Sequence, residues 1–569
     1  MDLKHKLYDV PQISNLQEMV LLNSKKYAGK LALEDLNNTP IQKLTFDGLL
    51  DCIMKFGTGL QNLGLKERTH IAVISENRVQ WSVTYLTAMT FNFVIVPIDR
   101  NLTSNEILNI IYESETEAIV FSKGFSNLMN EEAAAIKKLK LKINMDLTDD
   151  DGDVLSMSKL INSTTSASVT ALPKIDNEEM AEIIFTSGSL GRAKGVMLSQ
   201  KNIAVNLVSM TSMMFIYPED KFLSVLPIHH TYECTCGMLC PLYSGASVHF
   251  ARSLKTIVDD LQVVKATVLL GVPLLFDKMF KRISKSIKED KVKSKIVPPL
   301  VKVTGFLQSI GLKEIKTKVF KELHARFGGH VRIFIAGGAA PDPEVAKGLR
   351  DFGFTFVQGY GLTETAPIVA LNRLMAFKDD AAGLPLPGVD IKIVDPDSEG
   401  VGEVFVKGGN VMLGYYKNPT LTAEAFVDGY FRTGDLGFID SDGFLHIRGR
   451  KKNVIIASNG KNVFPEEIED IINRSPLILE SFVFGEQDAK HTEIIAVQVV
   501  LNAETLIEYS DKNGVKIDDS MMDSIVAGIV KETNKHLASY KQIKKYYIRE
   551  KEFEKTTTQK IKRYLVKND

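Results

Sequence analysis

Four cysteines and one tryptophan are all that 569 residues contain of those types. So few cysteines exclude a disulfide-stapled secreted fold. Cys234, Cys236 and Cys240 follow His229-His230 closely, so a zinc site has to be weighed against reduced core thiols. The C-x-C-x-x-x-C order lacks the usual C-x-x-C pair, and only Cys236 and Cys240 share a helical face. The thiols therefore read as core residues. A charge of one sign is missing too, because 69 Lys and Arg stand against 70 Asp and Glu, for a net charge of −1. No global field draws in nucleic acid, so no nucleic-acid partner is expected and any anion must be held locally. The start, MDLKHKLYDV, has no apolar h-region, so no signal peptide is expected. The uncharged stretch 79–98 has about the length of a membrane span. Ser82, Thr84, Thr87, Thr90, Asn92 and Pro97 interrupt it, and its FVIVPI end is β-branched. A helix to about Phe91 and then a buried strand fits better, which points to a cytoplasmic protein.

The chain is long enough for two to four domains and has no internal repeat. Up to about residue 440, short continuously apolar strands alternate with amphipathic helices: IAVIS, FVIVPI, EAIVFS, EIIFTS, VRIFIA and FTFVQ. That pattern predicts parallel sheets covered on both faces, an α/β fold. Between Gly388 and Arg450 short alternating strands predict a small β subdomain, with a hairpin at Ser441-Asp442-Gly443. After Arg450-Lys451-Lys452 a smaller mixed unit follows, with a helix opening at Pro465. Lys278 to Lys295 holds eight basic residues beside the apolar run 296–300. A solvated helical face and weak peripheral membrane contact are the two readings of that segment.

Phosphate chemistry is suggested by FTSGSLGRAKG, residues 185–195. Backbone N–H groups of a glycine-rich turn form a nest for phosphate oxygens. Thr186, Ser187 and Ser189 add hydroxyls to Gly188 and Gly191, and Lys194 adds a charge. The order is Lys-Gly, which fails the P-loop pattern. QGYGLTETAP, residues 358–367, follows a core strand, where ligands of open parallel sheets sit. Tyr360 offers a flat face for a base, Thr363 a hydroxyl and Glu364 a hard carboxylate for Mg²⁺. In YFRTGDLG, residues 430–437, Asp435 can accept hydrogen bonds from ribose hydroxyls.

With SENRVQW, LPIHHTYE, AGGAAPDPE, IRGRKKNVI and EKTTTQKIKR added in order, the chain resembles the adenylate-forming enzymes along nearly its whole length. ATVLLGVPLLFDKMFKRI and FGGHVRIFIAGGAAPDPEVA look most like AMP-forming long-chain fatty acid-CoA ligases. The resemblance implies a large N-terminal domain of mostly parallel sheets with a small β-barrel-like subdomain (1–449). A hinge at 450–452 and a smaller mobile α+β C-terminal domain (453–569) would follow. It also implies that 186–195 holds the β,γ-phosphates of ATP, with Thr186 near the metal. Tyr360 and Gly361, with Gly338 and Ala339, would surround adenine. Thr363 would touch the α-phosphate, Glu364 would bind Mg²⁺, and Asp435 with Arg450 would hold ribose. Lys560 would be the catalytic lysine, His230 would lie near the acyl carboxylate, Lys451 would mark the hinge, and Gly460 would approach the thiol path of coenzyme A. Leu190, Ala193, Lys451 and Gln559 depart from the common pattern, and AAGLPLPG lacks its usual lead.

The implied reaction joins a carboxylic acid to AMP and passes the acyl group to coenzyme A. Ligases that load acyl carrier protein or use aryl acids are the nearer alternatives, and a non-catalytic nucleotide-binding regulator is the distant one. An amino-acid substrate is disfavoured because SVLPIHHTYECT, residues 224–235, has Glu233 as its only acid.

Overall fold

The computed structural model describes residues 6–133, 136–186, 193–312, 314–457, 461–488, 493–556 and 560–566. Ser187, Gly188, Ser189, Leu190, Gly191, Gly460 and Gln559 lie outside the described residues.

Each apolar run read as a strand is one. His70–Ile74, Val94–Pro97 and Ala118–Phe121 pair in parallel at the centre of an eight-stranded sheet. Met180–Thr186 joins Val94–Pro97 in parallel and turns back as the antiparallel strand Lys194–Ser199. In a nine-stranded sheet, Lys221–Ser224, Val268–Gly271, Ile333–Ala336 and Thr355–Gly361 run parallel, side by side. Complete burial of strands such as Ile333–Ala336 explains why they read as unbroken apolar runs.

The stretch of membrane-span length resolves into the helix Val79–Thr90 and the strand Val94–Pro97. All twelve helix residues are buried, which accounts for the lack of amphipathic alternation. Of its hydroxyls, Thr84 Oγ1 donates to the Gln80 carbonyl at 2.8 Å, whereas Ser82, Thr87 and Thr90 are buried without a hydrogen-bond partner among the described residues. The 389–450 region forms a five-stranded sheet of Val389–Val394, Gly402–Gly408, Tyr430–Ile439, Phe426–Val427 and Leu445–Arg450. Gly443 supplies a left-handed turn at φ 83° between the last two long strands. A three-stranded sheet of Ile478–Gln487, Glu493–Leu501 and Ile543–Arg549 packs with the helices Pro465–Ile472 and Asp519–Lys535. Glu466 and Glu467 occupy the first turn after Pro465, where they complement the helix dipole.

The chain divides into two compact units. One comprises 1–391, 406–431 and 443–445, and the other 392–405, 432–442 and 446–569. No helix among the described residues is long and apolar enough to cross a membrane.

Among the carboxyls buried in the first unit, Glu182 and Glu233 stand out. Tyr85, stacked on Trp81 at 5.3 Å, donates to Glu182 Oε2 at 3.1 Å. Glu233 is 1% exposed on the wide π-helical turn Tyr232–Leu239. Burial pushes both carboxyls up to about 8, against weaker opposing hydrogen bonds. Both are therefore protonated in the folded protein at neutral pH and ionised in the unfolded chain, where 4.5 is usual. The folded state holds more protons between these values, so stability is full below 4.5 and falls as pH rises to about 8. Glu182→Gln removes one share of that loss. Urea unfolding between about pH 5 and pH 8 should show the decline shrink by on the order of 3 kcal/mol. A decline as steep as in the wild type contradicts this.

Candidate functional site

Because four neighbouring strands run parallel, the segments that leave their carboxyl ends meet at one edge of the nine-stranded sheet. Ile333–Ala336 leads into Gly337, Gly338 and Ala339, and Gly338 takes a left-handed φ of 85° that suits glycine. A Cβ on Gly337 would stand 2.6 Å from the Tyr232 ring, so the two segments close on each other only with glycine there. The Tyr232 hydroxyl donates to the Ile335 carbonyl at 3.1 Å, which fixes the HHTYE segment to that strand. His230 lies within this segment, its N–H donating to the Pro227 carbonyl at 3.0 Å. Its neighbour His229 is 3.6 Å from Asp99, but burial, aided by Arg100, pushes it down to about 3 and leaves the ring neutral.

Thr355–Gly361 carries Tyr360 opposite Ala370 and delivers the chain to Thr363 and Glu364. Thr363 is buried and Glu364 half-buried. The return is tight, since Leu362 N–H donates to the Pro367 carbonyl at 3.0 Å. A Cβ on Gly361 would lie 1.8 Å from that same oxygen. The Glu364 carbonyl accepts from Met412 N–H at 2.9 Å, and its Oε1 accepts from the Tyr415 hydroxyl at 3.0 Å. Lys194 Nζ sits 5.3 Å from the centre of the Tyr415 ring, and Lys194 pairs with Thr186 across their strands. Tyr415 thus touches both the cation of the first loop and the acid of the second. Sequence reading missed it: GYYKNP has the look of a glycine turn with core aromatics, and nothing in its spacing signals a shared contact.

The same strand ends border an enclosed apolar cavity of about 30 Å³. Met210, Met214, Cys236, Cys240, Ile368 and Leu371 line it, with Tyr232, Ala336 and Gly359 at the loop side. This too was missed, because its walls come from segments scattered over more than a hundred residues. Methionine side chains can repack around an occupant at low cost. Cys234, Cys236 and Cys240 are buried, and burial pushes their thiols up.

In the second unit, Arg450 Nε pairs with Asp435 at 2.9 Å and its Nη1 donates to the Thr433 carbonyl at 2.9 Å. Lys451 Nζ is 2.7 Å from Glu403, which also meets Arg432. Burial would raise the Glu403 pKa, but Lys451 and Arg432 overcome it and hold the carboxyl below its usual value. Lys560 belongs to this group. The residue is exposed, yet its ammonium is desolvated by protein around it, which with Arg450 pushes its pKa down while Asp435 and Glu466 oppose. Thr556 N–H donates to the Lys560 carbonyl at 2.7 Å.

No three His, Cys, Asp or Glu side chains among the described residues are grouped to hold a metal ion. Mg²⁺ usually takes one or two carboxylates and completes its shell with phosphate oxygens and water, so a single acid such as Glu364 fits it.

Parallel sheets with glycine-bearing loops at their carboxyl ends, followed by a small α+β unit, fit the architecture that the resemblance to adenylate-forming enzymes implied. The AMP-binding enzyme model matches residues 22–416 and the AMP-binding enzyme C-terminal domain model residues 452–569. The chain belongs to the AMP-binding enzyme family. Long-chain-fatty-acid–CoA ligase FadD15 of Mycobacterium tuberculosis is 28% identical over 539 residues, 89% of this chain and 88% of that protein. The chloroplastic long-chain-fatty-acid–[acyl-carrier-protein] ligase AEE15 of Arabidopsis thaliana is 28% identical over 547 residues, 83% of this chain and 75% of that protein. ATP-bound MatB from Rhodopseudomonas palustris superposes with a TM-score of 0.75 at 25% identity, covering 96% of this chain and 97% of that one.

Gly361→Ala should cost on the order of 3 kcal/mol, because the added methyl meets a backbone oxygen that cannot swing away. Thermal unfolding measures it; a loss under about 1 kcal/mol contradicts the tight return described for 361–367.

Proposed function

We propose that the chain is an AMP-forming acid–thiol ligase for a medium- or long-chain fatty acid. A carboxylate attacks the α-phosphate of ATP, releasing pyrophosphate and giving acyl-AMP. The thiol of coenzyme A then displaces AMP and the thioester forms. The observation that carries this reading is the apolar cavity at the same strand ends as Gly338, Thr363 and Glu364. An oily tail and a polyphosphate would then share one edge of the sheet. The membership of the family and the long-chain specificity in its relatives' names support the choice of acid.

The roles proposed for the side chains follow from their chemistry. Lys194 and the 186–195 backbone bind the β,γ-phosphates, and Tyr415 holds Lys194 and Glu364 in fixed relation. Tyr360, Gly361, Gly338 and Ala339 take the adenine, Thr363 the α-phosphate, and Asp435 with Arg450 the ribose. Mg²⁺, when bound at Glu364 with Thr186 nearby, neutralises charge on the triphosphate. Lys560 supplies a charge at the reacting phosphate, where losing one well-placed donor costs on the order of 3 kcal/mol. A single lysine cannot stay there while the thiol enters, so the 453–569 domain turns about 450–452, with Lys451 at the hinge and Gly460 nearing the thiol. His230 lies by the acyl carboxylate. The protein is proposed to work in the cytoplasm. Acyl carrier protein is a second acceptor worth testing, because one relative bears that name.

Lys560→Ala should abolish acyl-AMP formation while leaving thioester formation from supplied acyl-AMP largely intact. Pyrophosphate release and thioester yield, assayed separately, check this. Equal loss in both half-reactions contradicts the role given to Lys560.

A further inference from the structure

Two helices, Pro273–Glu289 and Lys293–Ser309, leave the core of the first unit with an unusual surface. The second helix buries Thr304 and rests Val297, Leu300 and Val301 against a cluster that includes Phe276 and Phe352. Its outer face should then be polar, as on most surface helices. It is not. Ile296, Pro299, Val303, Phe306 and Ile310 recur at intervals of three and four residues, so they form one stripe on the solvent side. Ile296 and Val303 are each 53% exposed, Phe306 66% and Ile310 62%, and Val292 and Leu312 extend the patch at both ends. A contiguous apolar stripe of this length marks a contact surface, whereas single exposed apolar residues do not.

The surroundings of the stripe select its occupant. Between Asp277 and Lys302 there are nine Lys and Arg against three acids, a surplus of six positive charges on a chain whose net charge is −1. Asp277, Glu289 and Asp290 pair with Lys281, Lys285 and Lys293 respectively, on the helices themselves. Lys288, Lys291, Lys295 and Lys302 are exposed. A second copy docking through the same face would bring two such surpluses together, which like-charge repulsion opposes. Only Phe306 offers a ring for stacking, and the aliphatic Ile296, Val303 and Ile310 around it do not, which disfavours a nucleic acid. An anionic bilayer satisfies both features, since apolar side chains enter the acyl boundary while long lysines reach the headgroups.

We propose that the Lys293–Ser309 helix, with the basic face of Pro273–Glu289, is a docking surface for an anionic lipid bilayer. The chain lies on the membrane and does not cross it. This inference stands on the stripe and its charges and is independent of the acid proposed above.

Vesicle flotation of the full chain tests it, with phosphatidylcholine vesicles that contain phosphatidylglycerol against phosphatidylcholine alone. The wild type should float with the anionic vesicles only, and less as salt is raised. Phe306→Asp with Ile310→Asp, and separately Lys288→Glu with Lys291→Glu and Lys295→Glu, should each lower the bound fraction about tenfold. All five positions are exposed and none has a role in the proposed site, so pyrophosphate release with a short soluble acid should stay unchanged and report intact folding. A wild type that stays unbound, or variants that float as well as the wild type, overturns the proposal. So does a wild-type dimer that the Phe306 and Ile310 changes convert to monomer while leaving flotation intact.

Discussion

The parallel register of Ile333–Ala336 against Thr355–Gly361 governs what the rest of the first unit can do, because it brings Ala336 beside Gln358. From that point two loops leave in the same direction with different chemistry. One is all glycine and alanine where it passes the Tyr232 ring, and the other carries a hydroxyl and a carboxylate. Each loop depends on a glycine whose hydrogen atom is the only substituent that fits, Gly337 against an aromatic ring and Gly361 against a carbonyl oxygen. Behind the loops, the same strands close a cavity with methionine and cysteine walls. A fatty tail needs more room than about 30 Å³, so an occupant has to displace side chains, and methionines are the ones that yield most readily.

Charge is the second constraint. A carboxylate and a triphosphate repel, and a chain with a net charge of −1 has no overall field to offset that. Cations therefore have to be placed one at a time, each with a partner that sets its position. Lys194 lies over a tyrosine whose hydroxyl holds Glu364, and Arg450 is fixed by Asp435 and the Thr433 carbonyl. Lys560 stands beside this pair, with Asp435 and Glu466 as its acidic neighbours and Arg450 as its basic one. Burial and Arg450 push its pKa down, and Asp435 and Glu466 only partly oppose them.

Much of this was legible in the sequence. The buried parallel strands, the helix–strand resolution of 79–98, the turn at Gly443 and the helix at Pro465 all follow from short-range rules. So does the position of Glu364 just beyond the core strand Thr355–Gly361. What escaped depends on distant pairs. Tyr415 meets Glu364 across fifty-one positions, a contact that local patterns do not set. The wide helical turn at Tyr232–Leu239 gives no local sign either, because its residues suit an ordinary helix equally well. The stripe on Lys293–Ser309 shows the converse limit. The sequence shows the basic residues beside an apolar run, but only the structure shows that Val303, Phe306 and Ile310 lie on the solvent side of the helix.

The central claim is that this fold joins an acid reversibly to AMP. Exchange of labelled pyrophosphate into ATP measures that step alone, without a thiol acceptor. With Mg²⁺ and a panel of fatty acids, exchange that depends on the acid and is strongest for medium or long chains is the predicted result. ATP breakdown to ADP, or no exchange with any acid in the panel, contradicts the account.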